Sequence, residues 1–291
     1  MGDSEKAILR TLIYSDCFSS PLSYEELYIY FHGSKKITKR VFERSLKDVE
    51  EFILAEKGLY TLRGSRVNIE KRLMLASENE RKNRIALSMA RLLSSIPTIQ
   101  FIGVTGSLAV KNASAADDID FFIITKNHAL YITRLLSLFL LQLWGRRRKK
   151  IESNPKDKIC INMFVTMRGI ASLGNEKNIY KAREIAQIKP LFDRDNTYEQ
   201  LLKQNKWVYT FLPNFFPKTT PYTKKSSSVS NIVMFFEIPA RALQVRKFKF
   251  GKKSMEDDKL IFYPKSRNKS IQQCFLKRLL FYSKYYSIDS L

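Results

Sequence analysis

The residues best suited to chemistry in this 291-residue chain are two aspartates with one residue between them, set in an apolar run. The run is Asp118-Ile119-Asp120-Phe121-Phe122-Ile123-Ile124, which reads as a strand. Side chains alternate faces along a strand, so Asp118 and Asp120 point the same way, about 7 Å apart. Left bare, like charges at that spacing repel each other. A hard divalent cation, Mg2+ or Mn2+, relieves the repulsion and keeps coordination positions open for phosphate. Upstream, Phe101 to Val104 reads as a short strand leading into Gly106-Ser107, and ten residues separate Ser107 from Asp118. Glycine lets a backbone approach a ligand closely. A helix beginning at Ser107 would turn its free N–H groups toward an anion. Strand, Gly-Ser, helix and a strand with paired carboxylates together describe a cradle for a nucleoside triphosphate.

Gly106, Ser107, Asp118 and Asp120, with their spacing and apolar flanks, resemble the DNA polymerase β-type nucleotidyltransferase superfamily. The stretches KICINMFVT (158–166), YKAREIAQIKPL (180–191), NKWVYTFLPN (205–214) and LIFYPKSRN (260–268) resemble an uncharacterised bacterial and archaeal branch of it. The resemblance implies that Gly106 and Ser107 hold the triphosphate and that Asp118 and Asp120 hold magnesium. It also singles out Tyr180, Glu184, Gln187, Lys189 and Pro190, with Lys189 a candidate to neutralise the triphosphate. The superfamily usually places a third acid on a later strand. Here the strand Ile159 to Thr166 carries Asn162 at its centre, and an amide is no base at neutral pH. Three explanations stand open: metal-bound hydroxide with two carboxylates, a base supplied by Asp117, Asp157 or Glu184, or nucleotide binding with poor turnover.

The net charge of +23 suits polyanionic partners: nucleotides, nucleic acid or an anionic membrane surface. Residues 217–291 hold 16 Lys and Arg against 5 Asp and Glu, interleaved with aromatic residues. Cys17, Cys160 and Cys274 are scattered and odd in number, with neither a disulfide framework nor zinc spacing, and they fit a reducing cytoplasm. The start of the chain lacks a signal-peptide core. His32 and His128 lie far apart, which argues against a histidine-based hydrolase.

The expected fold class is mixed α+β, with four parts in chain order. Residues 1–65 read as a winged-helix unit: a helix from Ser4, a capping box at Ser23 and Glu26, a third helix capped by Thr38, and a hairpin around Lys57-Gly58. The third helix offers Lys39, Arg40, Arg44 and Lys47 to a nucleic-acid groove or to a protein partner. Residues 66–97 read as a connecting helix with a polar interruption at Ser77 to Glu80. A small mixed-sheet nucleotidyltransferase core with flanking helices fills 98–216, and 217–291 reads as a basic helical region.

Within the core, Ala129 to Trp144 is too short to span a membrane and reads as a buried helix, with Arg134 directed at phosphate or at a carboxylate. The run Arg146 to Lys150 suits a solvated turn or a polyphosphate contact. Glu176 to Gln204 reads as helix broken at Pro190. Trp207, Tyr209 and Phe211 suit base stacking or core packing, and Pro217 to Ser230 reads as a linker. The leading expectation is a metal-dependent nucleotidyltransferase acting on a nucleoside triphosphate. The alternatives are a nucleic-acid-binding regulator that senses nucleotide and a membrane-surface enzyme.

Overall fold

The structure is a computed structural model, and it describes residues 1–149, 155–225, 235–248, 254–256, 258–262, 266–286 and 288. Helix α1 (Asp3–Asp16) buries Ala7, Ile8, Leu9, Leu12, Ile13 and Tyr14, too broad an apolar surface for a helix with one wet face. Strand β1 (Leu22–Ser23) leads into α2 (Tyr24–Ile29), where Ser23 Oγ accepts from Glu26 N and Ser23 N donates to Glu26 Oε2, completing the expected box. Thr38 caps α3 (Lys39–Asp48) by accepting from Val41 N; Phe42 and Ser45 are buried, while Lys39, Arg40, Arg44 and Lys47 face solvent. Strands β2 (Ile53–Glu56) and β3 (Leu59–Leu62) join through Lys57 and Gly58, both at positive φ (51° and 74°), as a tight hairpin requires. These strands form a three-stranded antiparallel sheet in the order β1-β3-β2.

The connector is two helices, α4 (Arg66–Met74) and α5 (Ala76–Leu93). The break falls at Leu75, just ahead of the polar stretch expected to bend. Asn79 then fixes the geometry, donating to Leu75 O and Ala113 O and accepting from Ala113 N.

The second sheet has seven strands. They are β4 (Ile99–Thr105), β5 (Ile119–Thr125), β6 (Ile159–Thr166), β7 (Lys189–Arg194), β8 (Thr223–Lys224), β9 (Ser254–Glu256) and β10 (Lys259–Ile261), in the order β8-β7-β4-β5-β6-β10-β9. The sheet is mixed: β5–β6 and β7–β8 are parallel and the other pairs antiparallel. A one-turn helix, α6 (Gly106–Ala109), follows β4, and α7 (Leu130–Leu143) crosses from β5 to its parallel neighbour. A 3₁₀ turn (Gly169–Gly174), α8 (Ile179–Gln187), α9 (Thr197–Gln204), α10 (Val208–Phe211), α11 (Glu237–Phe248) and α12 (Ser266–Tyr285) complete the elements among the described residues.

Strand alternation divides the core. Ile102, Val104, Phe121, Ile123 and Phe164 pack under α5, α7 and Ala240 of α11. Phe101, Phe122, Ile124 and Val165 face the opposite way and share a cluster with the N-terminal unit, α8, α9 and Phe275 of α12.

Several expectations change. Lys189–Arg194 is a strand, and Pro190 fits because the β4–β7 register shifts at Ile102/Gly103, where a missing N–H is tolerated. The expected linker begins as a strap: Lys218 Nζ donates to Gln187 O and Ile188 O, and β8 extends the sheet. Its residues 226–230 lie outside the described residues, as do Lys150 of the basic run and 232–234, 249 and 250 of the expected amphipathic helix. The basic C-terminal region is not all helix, because β9 and β10 continue the sheet beside β6. Arg134 Nη1 donates to Gln244 Oε1 at 2.6 Å, and its guanidinium lies 4.9 Å from the Phe262 ring centre. Trp207, Tyr209 and Phe211 pack inward: Trp207 donates to Asn205 Oδ1 and meets Phe211 edge-on, and Tyr209 meets Phe215. Among the described residues no helix is long and apolar enough to cross a membrane.

Candidate functional site

The site is built where β4 ends. Thr105 pairs with Asp120 across the β4–β5 ladder, which sets the following turn beside that carboxylate. Gly106 has φ 66°, and a Cβ on it would lie 2.3 Å from Asp120 Oδ2. The carboxylate therefore occupies the space a side chain would take, and only glycine fits. The helix after this turn begins at Gly106 and spans four residues. It is too short to supply the dipole expected of a longer helix, so any anion binding rests on the N–H groups of the turn itself.

Asp118 lies just before β5 and Asp120 within it. Their carboxylate oxygens and Cys160 Sγ all lie within 4.8 Å of one another. The parallel β5–β6 register explains this, since Asp120 pairs with Cys160. The register then shifts by one residue, and Asn162 sits at the irregularity, its Oδ1 accepting from Cys160 Sγ at 3.3 Å. Asn162 thus supports the third position rather than filling it. Burial, with Asp120 and Asp118 adding to it, pushes the Cys160 thiol up to about 12 despite the nearby Arg148. Arg148 pairs with Asp118 from the basic run after α7.

The candidate bases part company here. Burial alone would raise Asp157, but hydrogen bonds from Arg81 (2.6 Å) and Lys82 (2.9 Å), with their charges, pull it down to about 2. It is a structural anion and no base. Lys82 is wholly buried and also donates to Asp117 O at 2.7 Å, so it clamps the backbone leading into Asp118. Asp117 accepts from Ser114 N and from the hydroxyl of Ser107, which holds the loop closed. Glu184, on α8, lines a small cavity of about 30 Å³ together with Gly106, Asp120, Asn162 and Tyr180.

Lys189 pairs with Val104, one residue away from the pairing of Thr105 with Asp120, so Lys189 and Asp120 leave opposite faces of the sheet. Its Nζ reaches Asn83 Oδ1 on α5 at 2.8 Å, and burial, then Lys111, lowers its pKa. The structure therefore brings together Gly106, Asp118, Asp120, Asn162 and Glu184, adds Cys160, and sends Lys189 elsewhere.

No protein-family model, curated protein or solved structure matches this chain. The fit of a metal is therefore judged on the donors. Two carboxylates lie close together, one of them, Asp120, against a glycine notch, and Mg2+ commonly takes one or two protein carboxylates and completes its shell with phosphate and water. A soft thiol is a poor ligand for so hard a cation, so the carboxylate pair is the ligand set.

Proposed function

We propose that the protein is a metal-dependent nucleotidyltransferase that moves a nucleoside monophosphate from a nucleoside triphosphate to a hydroxyl acceptor and releases pyrophosphate. The observation that carries this reading is the pairing of Asp118 with Asp120, the latter set against the Gly106 notch. Asp118 and Asp120 would hold Mg2+ or Mn2+, which neutralises phosphate charge and acidifies the acceptor hydroxyl when bound. The Gly106 and Ser107 backbone would donate to the β- and γ-phosphate oxygens. Lys82 holds the Asp117 carbonyl and so keeps Asp118 in place. Glu184, beside Asp120 in the small cavity, is the carboxylate placed to take the acceptor's proton. Lys189 has no part in that step.

Helix, strand, helix, helix and hairpin in residues 1–65 support a winged-helix reading, and the exposed Lys39, Arg40, Arg44 and Lys47 support a polyanionic partner, nucleic acid above all. One observation favours a second reading, nucleotide sensing without turnover: the residue opposite Asp120 on β6 is a cysteine instead of an acid. Pyrophosphate release from each nucleoside triphosphate with Mg2+ in a cell extract, which supplies acceptors, separates the two. Wild type should release it, and Asp118→Asn with Asp120→Asn should lose at least 10³-fold, the order expected when a main electrostatic contribution is removed. Nucleotide binding by calorimetry without any release would favour the sensor, and unchanged release by the double variant would remove both readings.

A further inference from the structure

Helix α7 is apolar almost all round, yet one side of it is wet. Leu130, Tyr131, Thr133, Ser137 and Leu141 are its buried side. Leu135, Phe139 and Leu143 recur every four residues on another side, and Phe139 and Leu143 are 57% and 61% exposed. Gln142 is the one polar residue at an exposed position of this helix. A surface helix ordinarily turns charge outward, and a helix apolar all round is ordinarily buried.

Helix α11 crosses the first turns of α7. The Glu237 carboxylate accepts from Tyr131 N at 2.9 Å and Ile132 N at 2.8 Å, and two turns later Gln244 donates to Tyr131 O at 2.8 Å. Ala240 and Gln244 are its buried side, while Ile238 and Leu243 are 79% and 62% exposed. Phe235 and Phe236, just ahead of it, are exposed too. Single apolar residues scattered over a surface are ordinary, whereas a cluster on two touching helices marks a contact site.

Charge surrounds this cluster. Residues 130–150 hold six Lys and Arg and no Asp or Glu, five of them in the run that follows Gly145, and residues 238–253 hold another six and no acid. Arg147, Arg148 and Lys149 are exposed past the C-terminal end of α7, with Arg148 also paired to Asp118. A second copy would bring another chain of net charge +23 against these runs. A nucleic acid would satisfy the charge and leave the aliphatic Leu135, Leu143, Ile238 and Leu243 in water. An anionic bilayer supplies both chemistries at once, headgroup phosphates for Lys and Arg and acyl chain for Leu, Ile and Phe. At 14 residues α7 is short of the roughly 20 needed to span, and no described helix can cross a membrane, so such a contact lies along the surface.

We propose that α7 and α11 form a docking face for an anionic lipid surface. Phe139, Leu143, Ile238 and Leu243 enter the acyl boundary, and the basic runs meet lipid phosphates. The proposal stands apart from the nucleotidyltransferase reading and is tested without it.

The full chain is floated with vesicles of phosphatidylcholine alone and of phosphatidylcholine mixed with phosphatidylglycerol, at about 150 mM salt to screen distant charge. Wild type should bind the mixed vesicles at least about tenfold more tightly than the neutral ones. Phe139→Gln with Leu143→Gln should lose at least about tenfold on the mixed vesicles, because the apolar contribution goes while the charge stays. Leu276→Gln with Leu280→Gln, on the exposed side of α12, should lose nothing. If the α7 variant does not fold, depth carries the test. Phe139→Trp with Trp144→Phe places a reporter on the face, and Trp207, packed against Phe211, adds a constant background. Brominated acyl chains should quench that reporter. Equal binding to the two kinds of vesicle, equal binding by the α7 and α12 variants, or a reporter left unquenched overturns the proposal. Binding to neither kind of vesicle leaves the face to a protein partner and also overturns it. So does a dimer in sedimentation that Phe139→Gln with Leu143→Gln dissociates, which gives the face to a second copy.

Discussion

Replacing Gly106 with alanine places two separable loads on the turn that carries the site. The first is backbone: φ is 66°, and an L side chain in the left-handed region costs about 1–2 kcal/mol. The second is contact: the new Cβ would stand 2.3 Å from Asp120 Oδ2 and 3.2 Å from its Cγ, so the carboxylate must move about 1 Å to reach a normal separation. Overpacking of this kind costs about 1–3 kcal/mol. Gly58 calibrates the first load alone, since its φ is 74° and a Cβ there meets nothing within 4 Å. In urea unfolding followed by the fluorescence of Trp144 and Trp207, Gly58→Ala should lose about 1–2 kcal/mol and Gly106→Ala about 2–5 kcal/mol. Adding Asp120→Ala to Gly106→Ala should recover the contact part, giving a coupling of about 1–3 kcal/mol. Mn2+ affinity should fall about tenfold in Gly106→Ala and stay unchanged in Gly58→Ala, because only the former displaces a ligand. Equal losses at the two glycines, with coupling to Asp120 below about 0.5 kcal/mol, would refute the claim that the notch and the carboxylate share one space.

Lys82→Met should destabilise the fold by about 3 kcal/mol in the same assay, since it leaves the buried Asp157 carboxylate with Arg81 and strips the clamp from the Asp117 carbonyl. Asp157→Asn with Lys82→Met should be milder than Lys82→Met alone, and the reverse order would contradict the pairing. His32 supplies a pH test: burial, then Arg10 and Arg183, lower it to about 4 from 6.5. The unfolded chain therefore takes up the proton first, so this contribution is whole above about pH 6.5 and fades as pH falls toward 4. Unfolding at pH 7 and pH 5 should differ by on the order of 1–2 kcal/mol more in wild type than in His32→Asn.

What the sequence made legible was local. Asp118 and Asp120 stand out because two carboxylates interrupt an apolar strand pattern, and the Ser23–Glu26 box and the Lys57–Gly58 turn are short-range chemistry that the fold keeps. Cys160 was missed because its place is set by the parallel register with β5, a pairing across about forty residues of chain that no local pattern reports. The only signal was that Cys160 and Asn162 alternate together on one strand. Register also explains Lys189: one residue along β4 decides which face a neighbour leaves, and Val104 rather than Thr105 is its partner. Pro190 was a misleading breaker, because a register shift on β4 accommodates its missing N–H inside a strand. The strands beyond residue 250 were hidden by short length and basic composition; they exist because β6 offers them an edge.

The central claim is that Asp118 and Asp120 jointly hold a divalent cation next to a triphosphate seated at Gly106. Electron paramagnetic resonance titration of Mn2+ into the full protein, with and without a non-hydrolysable nucleoside triphosphate, tests it most directly. The account predicts Mn2+ binding that tightens at least about tenfold with the nucleotide and is lost in Asp118→Asn with Asp120→Asn while the fold remains intact. Binding of equal strength in wild type and that double variant, nucleotide present, would contradict it.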